Sequence, residues 1–283
     1  MRSFLPHYEM RRASTLDQAL EVLSAAPGEW TPFAGGTDLM VLLEAGRLPQ
    51  RRFLDLWKLR ELRGITASPE SVVVGALATY TDLLNDPVLS AEFPLVGAAA
   101  RDTGAVAIQN RGTVGGNIAN GSPAADLPPA LLVYDAELEL ASARGRRRVP
   151  YAGFHKGYKQ MDLAPDELIV SVTLPRGRSA WRQMYRKVGT RRAQAISKVC
   201  FAGAAEVADG VVGDVRIALG SVAPAVVRAR AAESVLRGRP LGPQAAAAAR
   251  AALQQDISPI DDLRSTASYR LMVAGNLLEE FLS

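Results

Sequence analysis

Two short glycine-rich segments carry the residues best suited to chemistry: Ala34-Gly35-Gly36-Thr37-Asp38, and GTVGGNIANGSP from Gly112 to Pro123. Glycine has no Cβ, so paired glycines admit positive φ and let backbone N–H groups come close to a ligand. Successive N–H groups in such turns form an anion-binding nest. Thr37 and Thr113 add hydroxyls and Asn117 an amide. Two such loops suit the two halves of a pyrophosphate. Neither is a P-loop, because the required lysine is missing, and neither reads GxGxxG, so a Rossmann dinucleotide site is not supported. Two tight turns between packed elements remain the alternative reading.

The other reactive side chains are few. One cysteine, Cys200, permits no intrachain disulfide and no cysteine-ligated iron–sulfur cluster within the chain. Its apolar strand context reads as a buried small hydrophobe. Two histidines, His7 and His155, make a histidine-rich metal site improbable, and His155 reads as structural or exposed. Tyr8, Tyr151, Tyr158 and Tyr185 could flank an aromatic cofactor ring, but read mainly as core packing.

Elements that alternate along the chain must position the two loops. Thr15 with Gln18 reads as a capping box opening a helix with Leu16, Ala19, Leu20 and Leu23 on one face, ended at Pro27-Gly28. Thr31–Phe33 reads as a strand running into the first loop, and Leu39–Glu44 as a helix stopped by Gly46. Arg52–Leu56 and Val72–Ala76 read as buried strands. Thr81 is expected to cap the next helix, and Phe93–Thr103 carries another. After the second loop, Asp126–Leu132 reads as a helix that tolerates Pro128 and Pro129 in its first turn. Glu137–Ala141 and Arg146–Pro150 form a hairpin with Arg144–Arg148 as its solvated tip, and Glu167–Leu174 is a strand ended by Pro175.

The polar segment Arg176–Ser179 marks a boundary, giving domains of residues 1–176 and 177–283. Beyond it come strands Trp181–Val188, Val199–Val207 and Val211–Gly220, with Asp209-Gly210 as a hairpin turn. Helices Ala229–Leu236, Pro243–Gln254 and Ser268–Leu282 follow. In the last, Leu271, Ala274, Leu278 and Phe281 share an apolar face. Alternation followed by strands and then helices predicts an α/β domain joined to a small α+β domain.

Composition agrees. The chain has 283 residues, 48% hydrophobic and 22% charged, with 33 Lys and Arg against 29 Asp and Glu. That is ordinary globular composition, with no apolar run long enough to span a membrane. The N-terminus, MRSFLPHYEMRR, lacks the apolar core of a secretory signal. The basic residues are scattered without interleaved aromatics, so no nucleic-acid partner is expected.

The segments PFAGGTDL, GTVGGNIANGSPAAD, FHKGYKQMDLAPDELIVSVTLP, YRKVGTRRAQAISKV, LGSVAP and RSTASYRLMVAGNLL occur in this order. Together they resemble the flavin subunits of molybdenum hydroxylases, the medium subunit of aerobic carbon monoxide dehydrogenase and the flavin domain of xanthine dehydrogenase. The resemblance runs from about Phe4 to Leu282. It implies an α+β fold: an FAD-binding domain of the vanillyl-alcohol-oxidase (PCMH) type, with two α/β subdomains, then a small C-terminal α+β domain.

By position, the resemblance implies that Phe33, Ala34, Gly35, Gly36, Thr37, Asp38 and Leu39 wrap the FAD pyrophosphate. Thr113, Gly115, Gly116 and Asn117 form the second phosphate loop, and Asp126 meets the adenosine portion. Thr103 and Ile169 line the cofactor cleft, and Lys187 approaches the flavin. No histidine lies in the loops, so FAD is expected to be noncovalent. A single cysteine rules out the extra iron–sulfur cluster of aryl-CoA-reducing relatives.

The implied role is electron transfer in the cytoplasm. A large molybdopterin subunit would hydroxylate the substrate, and a small subunit with two-iron two-sulfur clusters would relay electrons to FAD on this chain. FAD would pass them to a terminal acceptor. The assembly would be a heterotrimer or a dimer of heterotrimers. Two other readings stay open: a self-contained FAD-dependent oxidase, and a flavin-free phosphate-binding assembly module.

Overall fold

The computed structural model describes residues 7–283; the first six, on which part of the reading of the N-terminus rests, lie outside the described residues. The chain opens with β1 (Glu9–Arg12), α1 (Leu16–Ala25), β2 (Thr31–Phe33), α2 (Leu39–Glu44) and β3 (Arg52–Asp55). Next come β4 (Ile65–Ala67), β5 (Ser71–Gly75), α3 (Tyr80–Asn85), α4 (Pro87–Glu92), α5 (Pro94–Asp102), α6 (Val106–Gln109), α7 (Val114–Ala119) and α8 (Leu127–Val133). β6 (Glu137–Ser142), β7 (Gly145–Pro150), β8 (His155–Gly157), β9 (Gln160–Met161) and β10 (Leu168–Pro175) complete the N-terminal part. The remainder is β11 (Arg182–Val188), β12 (Val199–Ala208), β13 (Val211–Gly220), β14 (Val227–Arg228), α9 (Arg230–Leu236), α10 (Pro243–Leu253) and α11 (Ala267–Leu282).

The N-terminal part holds two main sheets. The smaller is parallel, ordered β1-β3-β2, and the larger is antiparallel, ordered β4-β5-β10-β6-β7. Helix α1 covers one face of the larger sheet, where Leu20 and Leu23 pack with Leu54, Leu168 and Val170. Helices α3, α5, α7 and α8 cover the other face, against Val72, Val74, Leu138 and Val172. A register shift between Ile169 and Ser171 lets β10 serve both layers. Leu168 and Val170 face α1, whereas Ile169 and Val172 both face the helical layer, a change of parity that a bulge produces.

The C-terminal sheet is antiparallel, ordered β11-β12-β13-β14. One face carries α9, α10 and α11 on Phe201, Ile217 and Leu219. The other presents Ala202, Ala204 and Ala218 to the N-terminal core. Those small side chains let α8, every residue of which is buried, lie between the two parts.

Several expected details change. Thr79, not Thr81, caps α3: its hydroxyl accepts the Asp82 N–H at 3.1 Å and Asp82 returns to the Thr79 N–H at 2.8 Å. The Thr81 hydroxyl instead donates to Asn110 Oδ1 at 2.6 Å. At α1, Thr15 accepts from the Gln18 N–H, but the Gln18 side chain bonds the Ser14 N–H rather than closing the box on Thr15. On α11, Leu271 is exposed; the buried face is set by Val273, Ala274, Leu277, Leu278 and Phe281. The arginine cluster is more than a solvated tip. Arg147 forks onto Glu167 at 2.7 and 2.8 Å, and Arg144 pairs with Asp166.

Candidate functional site

The first glycine loop leaves β2 where the Phe33 carbonyl accepts the Leu56 N–H at 2.9 Å. Gly36 has φ 76°, the left-handed conformation that glycine adopts without strain. Among the described residues, no protein acceptor takes the N–H groups of Gly35, Gly36, Thr37 or Asp38. Four consecutive free donors in a turn with a left-handed residue make an anion nest. A Cβ on Gly35 would overlap the Arg111 carbonyl oxygen and lie 2.6 Å from its carbon, so the first loop rests directly on the second. Leu39 opens α2, an apolar helix in which no residue is buried.

The second loop is built differently from expectation. Gly115 and Gly116 lie inside α7, and neither has positive φ. The amides of Val114 to Asn117 are already paired. The Val114 N–H donates to the Ala78 carbonyl at 3.0 Å, Gly115 to Ala76 at 2.8 Å, Gly116 to Thr113 Oγ1 at 3.2 Å and Asn117 to the Thr113 carbonyl at 2.9 Å. The reading of this segment as a second nest is therefore corrected. Gly115 serves packing, since a Cβ there would sit 2.7 Å from the Ala76 methyl, whereas Gly116 is exposed. What this loop offers a ligand is side chains, chiefly Asn117, whose Oδ1 is buried without a partner.

Asp126 and Lys187 meet where the two parts of the chain join. Lys187 Nζ donates to Asp126 Oδ2 at 2.7 Å and to the Asp102 carbonyl at 2.8 Å. Asp126 Oδ1 is buried and unpartnered. Burial raises the Asp126 carboxyl to about 6, with the Lys187 charge pulling the other way. The Tyr185 hydroxyl donates to the Asp126 carbonyl at 3.0 Å and receives the Cys200 thiol at 3.2 Å.

The remaining predicted positions are quieter. Thr103 donates its hydroxyl to the Ala99 carbonyl at 2.7 Å, and Ile169 is buried in the core beneath the helical layer. His155 is structural, with Nε2 at 2.9 Å from the Ile118 carbonyl, and burial lowers its pKa. Cys200 is fully buried. Tyr151 packs in the core as expected, whereas Tyr158 is 63% exposed, which corrects its reading as a core residue.

Two residues escaped the sequence reading. Asn120 Nδ2 donates to Asp38 Oδ1 at 3.0 Å, joining the loops. The Arg111 guanidinium lies 3.8 Å from the Trp57 ring centroid, with Arg63 also stacked on that ring at 4.4 Å. Asn120-Gly121 carries a turn signal, but nothing local marks its partner.

These features fit a dinucleotide such as FAD. Four free N–H groups suit a pyrophosphate, and two orphaned acceptors, Asn117 Oδ1 and Asp126 Oδ1, suit the hydroxyl and N–H donors of ribose, ribityl and ring groups. Among the described residues no cluster of His, Cys, Asp and Glu could hold a metal ion, and no helix is long and apolar enough to cross a membrane.

Residues 6–177 match the family model described as the FAD binding domain in molybdopterin dehydrogenase, and residues 183–283 match the CO dehydrogenase flavoprotein C-terminal domain. The chain is 33% identical over 274 residues to the putative xanthine dehydrogenase FAD-binding subunit of Escherichia coli (strain K12), covering 96% of this chain and 94% of that one. It is 29% identical over 278 residues to the carbon monoxide dehydrogenase medium chain of Hydrogenophaga pseudoflava, covering 98% and 96%. A solved carbon monoxide dehydrogenase from Hydrogenophaga pseudoflava, lacking the Mo-pyranopterin moiety of its molybdenum cofactor, superposes with a TM-score of 0.94 at 30% identity over 98% of this chain and 96% of that one. Quinoline 2-oxidoreductase from Pseudomonas putida 86 gives 0.91 at 26% identity, over 99% and 96%.

Proposed function

Because this chain belongs to the family of FAD-binding subunits of molybdopterin dehydrogenases, we propose that it holds FAD noncovalently between its two glycine loops and passes electrons from a partner's iron–sulfur clusters to a terminal acceptor. The flavoprotein resemblance and the PCMH-type fold with its C-terminal companion are borne out. Bound FAD supplies a carrier that takes and releases electrons singly or in pairs.

The chain's own residues bind and orient. The N–H groups of Gly35, Gly36, Thr37 and Asp38 receive the pyrophosphate, flanked by Phe33, Ala34 and Leu39. Thr113 and Asn117 contribute side-chain oxygens, Gly115 lets α7 seat closely on Ala76, and the exposed Gly116 keeps its surface of α7 free of a side chain. Asp126 offers the cofactor its orphaned Oδ1; Lys187, expected beside the flavin, instead bonds that carboxylate at 2.7 Å, so in this reading the two serve one part of FAD rather than its adenosine and flavin ends. Thr103 and Ile169 support the wall of the cleft. No residue here acts as acid or base on an organic substrate.

The partners in this reading are a small two-iron two-sulfur subunit and a large molybdopterin subunit, in a heterotrimer or a dimer of heterotrimers. Several relatives are named as medium chains or medium subunits, in keeping with a multi-subunit enzyme. We divide the chain at 176/177 into the FAD-binding and C-terminal domains. The location in this reading is the cytoplasm.

The observation that carries this reading is the run of four free N–H groups in the first loop. The test is to purify the chain and precipitate it with acid. A yellow protein that releases FAD to the supernatant is the expected result. A colourless protein that takes up no added FAD overturns the reading in favour of a flavin-free module. Robust substrate oxidation by the isolated, metal-free chain overturns it in favour of a self-contained oxidase.

A further inference from the structure

Among the described residues, the only side-chain hydrogen bond between the two glycine loops runs from Asn120 Nδ2 to Asp38 Oδ1 at 3.0 Å, across 82 positions of sequence. Its two ends are unlike. Asp38 closes the run of free N–H groups, in a loop whose amides have no protein acceptor to hold them. Asn120 is a fixed post. Its N–H donates to the Gly116 carbonyl at 3.0 Å, and the next N–H, of Gly121, donates to Ile118 at 3.0 Å. Gly121, at φ 60°, sits under the β8–β9 turn, where an added Cβ would lie 3.0 Å from Met161 Cε and 3.2 Å from Lys159 Cα. One side of the bridge is therefore rigid and the other is the nest.

We propose that Asn120 is a positioning residue of the FAD site: its amide, anchored at the end of α7, fixes Asp38 and so sets the spacing between the free N–H groups of the first loop and Asn117 on α7. The role rests on the flavin reading above. A nest binds an anion well only when its N–H groups are held in the bound geometry beforehand. The Gly35 backbone rests on Arg111 at the near end of the loop, and the Asp38–Asn120 bridge secures the far end. Lys159, on the β8–β9 turn, and Tyr80, on α3, are the other titratable groups whose charge or hydroxyl acts on Asp38. Neither replaces the bridge, because neither bonds Asp38.

The test is FAD titration of the deflavinated full-length chain, followed by flavin fluorescence and by visible circular dichroism of the bound flavin. Asn120→Ala is expected to weaken FAD binding about fivefold, the value of one ordinary hydrogen bond. Asn120→Asp sets two carboxylates at bonding distance, which disfavours both being charged. With each affinity taken relative to wild type at the same pH, it is expected to bind more weakly than Asn120→Ala at pH 8 and to match Asn120→Ala or better by pH 5.5. The exchange Asp38→Asn with Asn120→Asp restores a donor–acceptor pair and is expected to regain most of the affinity. Wild-type affinity in both single variants, a pH-independent Asn120→Asp deficit, or no recovery in the exchange overturns the role. A wild-type chain that takes up no FAD overturns the flavin reading itself, and this role with it.

Discussion

Asp126 and Lys187 face each other across the seam between the two parts of the chain, Oδ2 to Nζ at 2.7 Å, with side chains only 10% and 7% exposed. A charge pair this well buried is costly to break from one side, because the survivor keeps its desolvation penalty and loses its partner. Lys187→Met is expected to destabilise the FAD-free protein by about 3 kcal/mol. Adding Asp126→Asn should recover a substantial part of that loss. Urea unfolding of the two single variants and the double variant measures the coupling; additive losses would contradict the pairing.

The same carboxylate makes FAD binding depend on pH. Burial raises Asp126 to about 6 in the ligand-free protein, so near neutrality it is largely ionised and below that value largely protonated. If its ionised Oδ1 accepts a ligand donor, binding releases a proton below pH 6, and affinity should fall by up to about tenfold per unit there. Above about 7 it should level off. The folding contribution runs in the opposite sense. A raised folded pKa adds stability in acid that is lost as pH climbs from the ordinary carboxylate range through about 6. Asp126→Asn should flatten the affinity profile, as read by FAD titration from pH 5 to 8.

The two glycine loops should respond unequally to a methyl group. Gly35→Ala drives its Cβ into the Arg111 backbone, which has nowhere to yield. We expect loss of FAD and a stability cost of about 2 kcal/mol. Gly116→Ala meets only Thr113 Oγ1, at 2.8 Å, and loses about 1 kcal/mol of capping while gaining about as much helix propensity. It should fold and bind almost normally. Gly116→Val crowds the cap further and should weaken FAD retention more than Gly116→Ala does, with normal circular dichroism. Flavin content per chain distinguishes the three.

Asp135 is a hub of the seam. Its carboxylate takes Arg178 at 2.8 Å, Arg216 at 3.0 Å and Arg228 at 2.7 Å, from a backbone with φ 52°. Asp135→Ala loses all three contacts and strains the left-handed backbone, for an expected cost of about 3 kcal/mol. Asp135→Asn, which tolerates that conformation and keeps an acceptor, should cost less than half as much. Thermal unfolding of both variants, with limited proteolysis around 176–181, checks the ordering.

Cys200 should be inert in the native protein. It is fully buried, burial pushes its thiol well above the usual range, and it bonds the Tyr185 hydroxyl. Labelling by an aromatic disulfide reagent should proceed only at the rate of unfolding. Fast stoichiometric labelling under native conditions would disprove this.

The sequence by itself determined the local elements. β2 spans Thr31–Phe33 and α2 Leu39–Glu44 as read, and the Asp209-Gly210 turn has positive φ at both residues, 51° and 75°. Such features are legible because they depend on sterics within a few residues: glycine's missing Cβ, proline's fixed φ, the twist that a two-residue hairpin must match. Tertiary structure decided how the site works. The N–H groups of Val114 and Gly115 are consumed by the carbonyls of Ala78 and Ala76, on a segment far back in the chain, so only the first loop remains a nest. Asp126 and Lys187 are 61 residues apart, and Asp38 and Asn120 are 82 apart. Of the predicted apolar face of α11, Ala274, Leu278 and Phe281 are buried, but Leu271 is exposed and Val273 and Leu277 complete the stripe. Periodicity marks an apolar face, but the helix's rotation against its sheet is chosen by the shape of the neighbour. Which donors stay free, and which charges are desolvated together, is likewise settled only when distant segments pack and each buried polar group must find a partner.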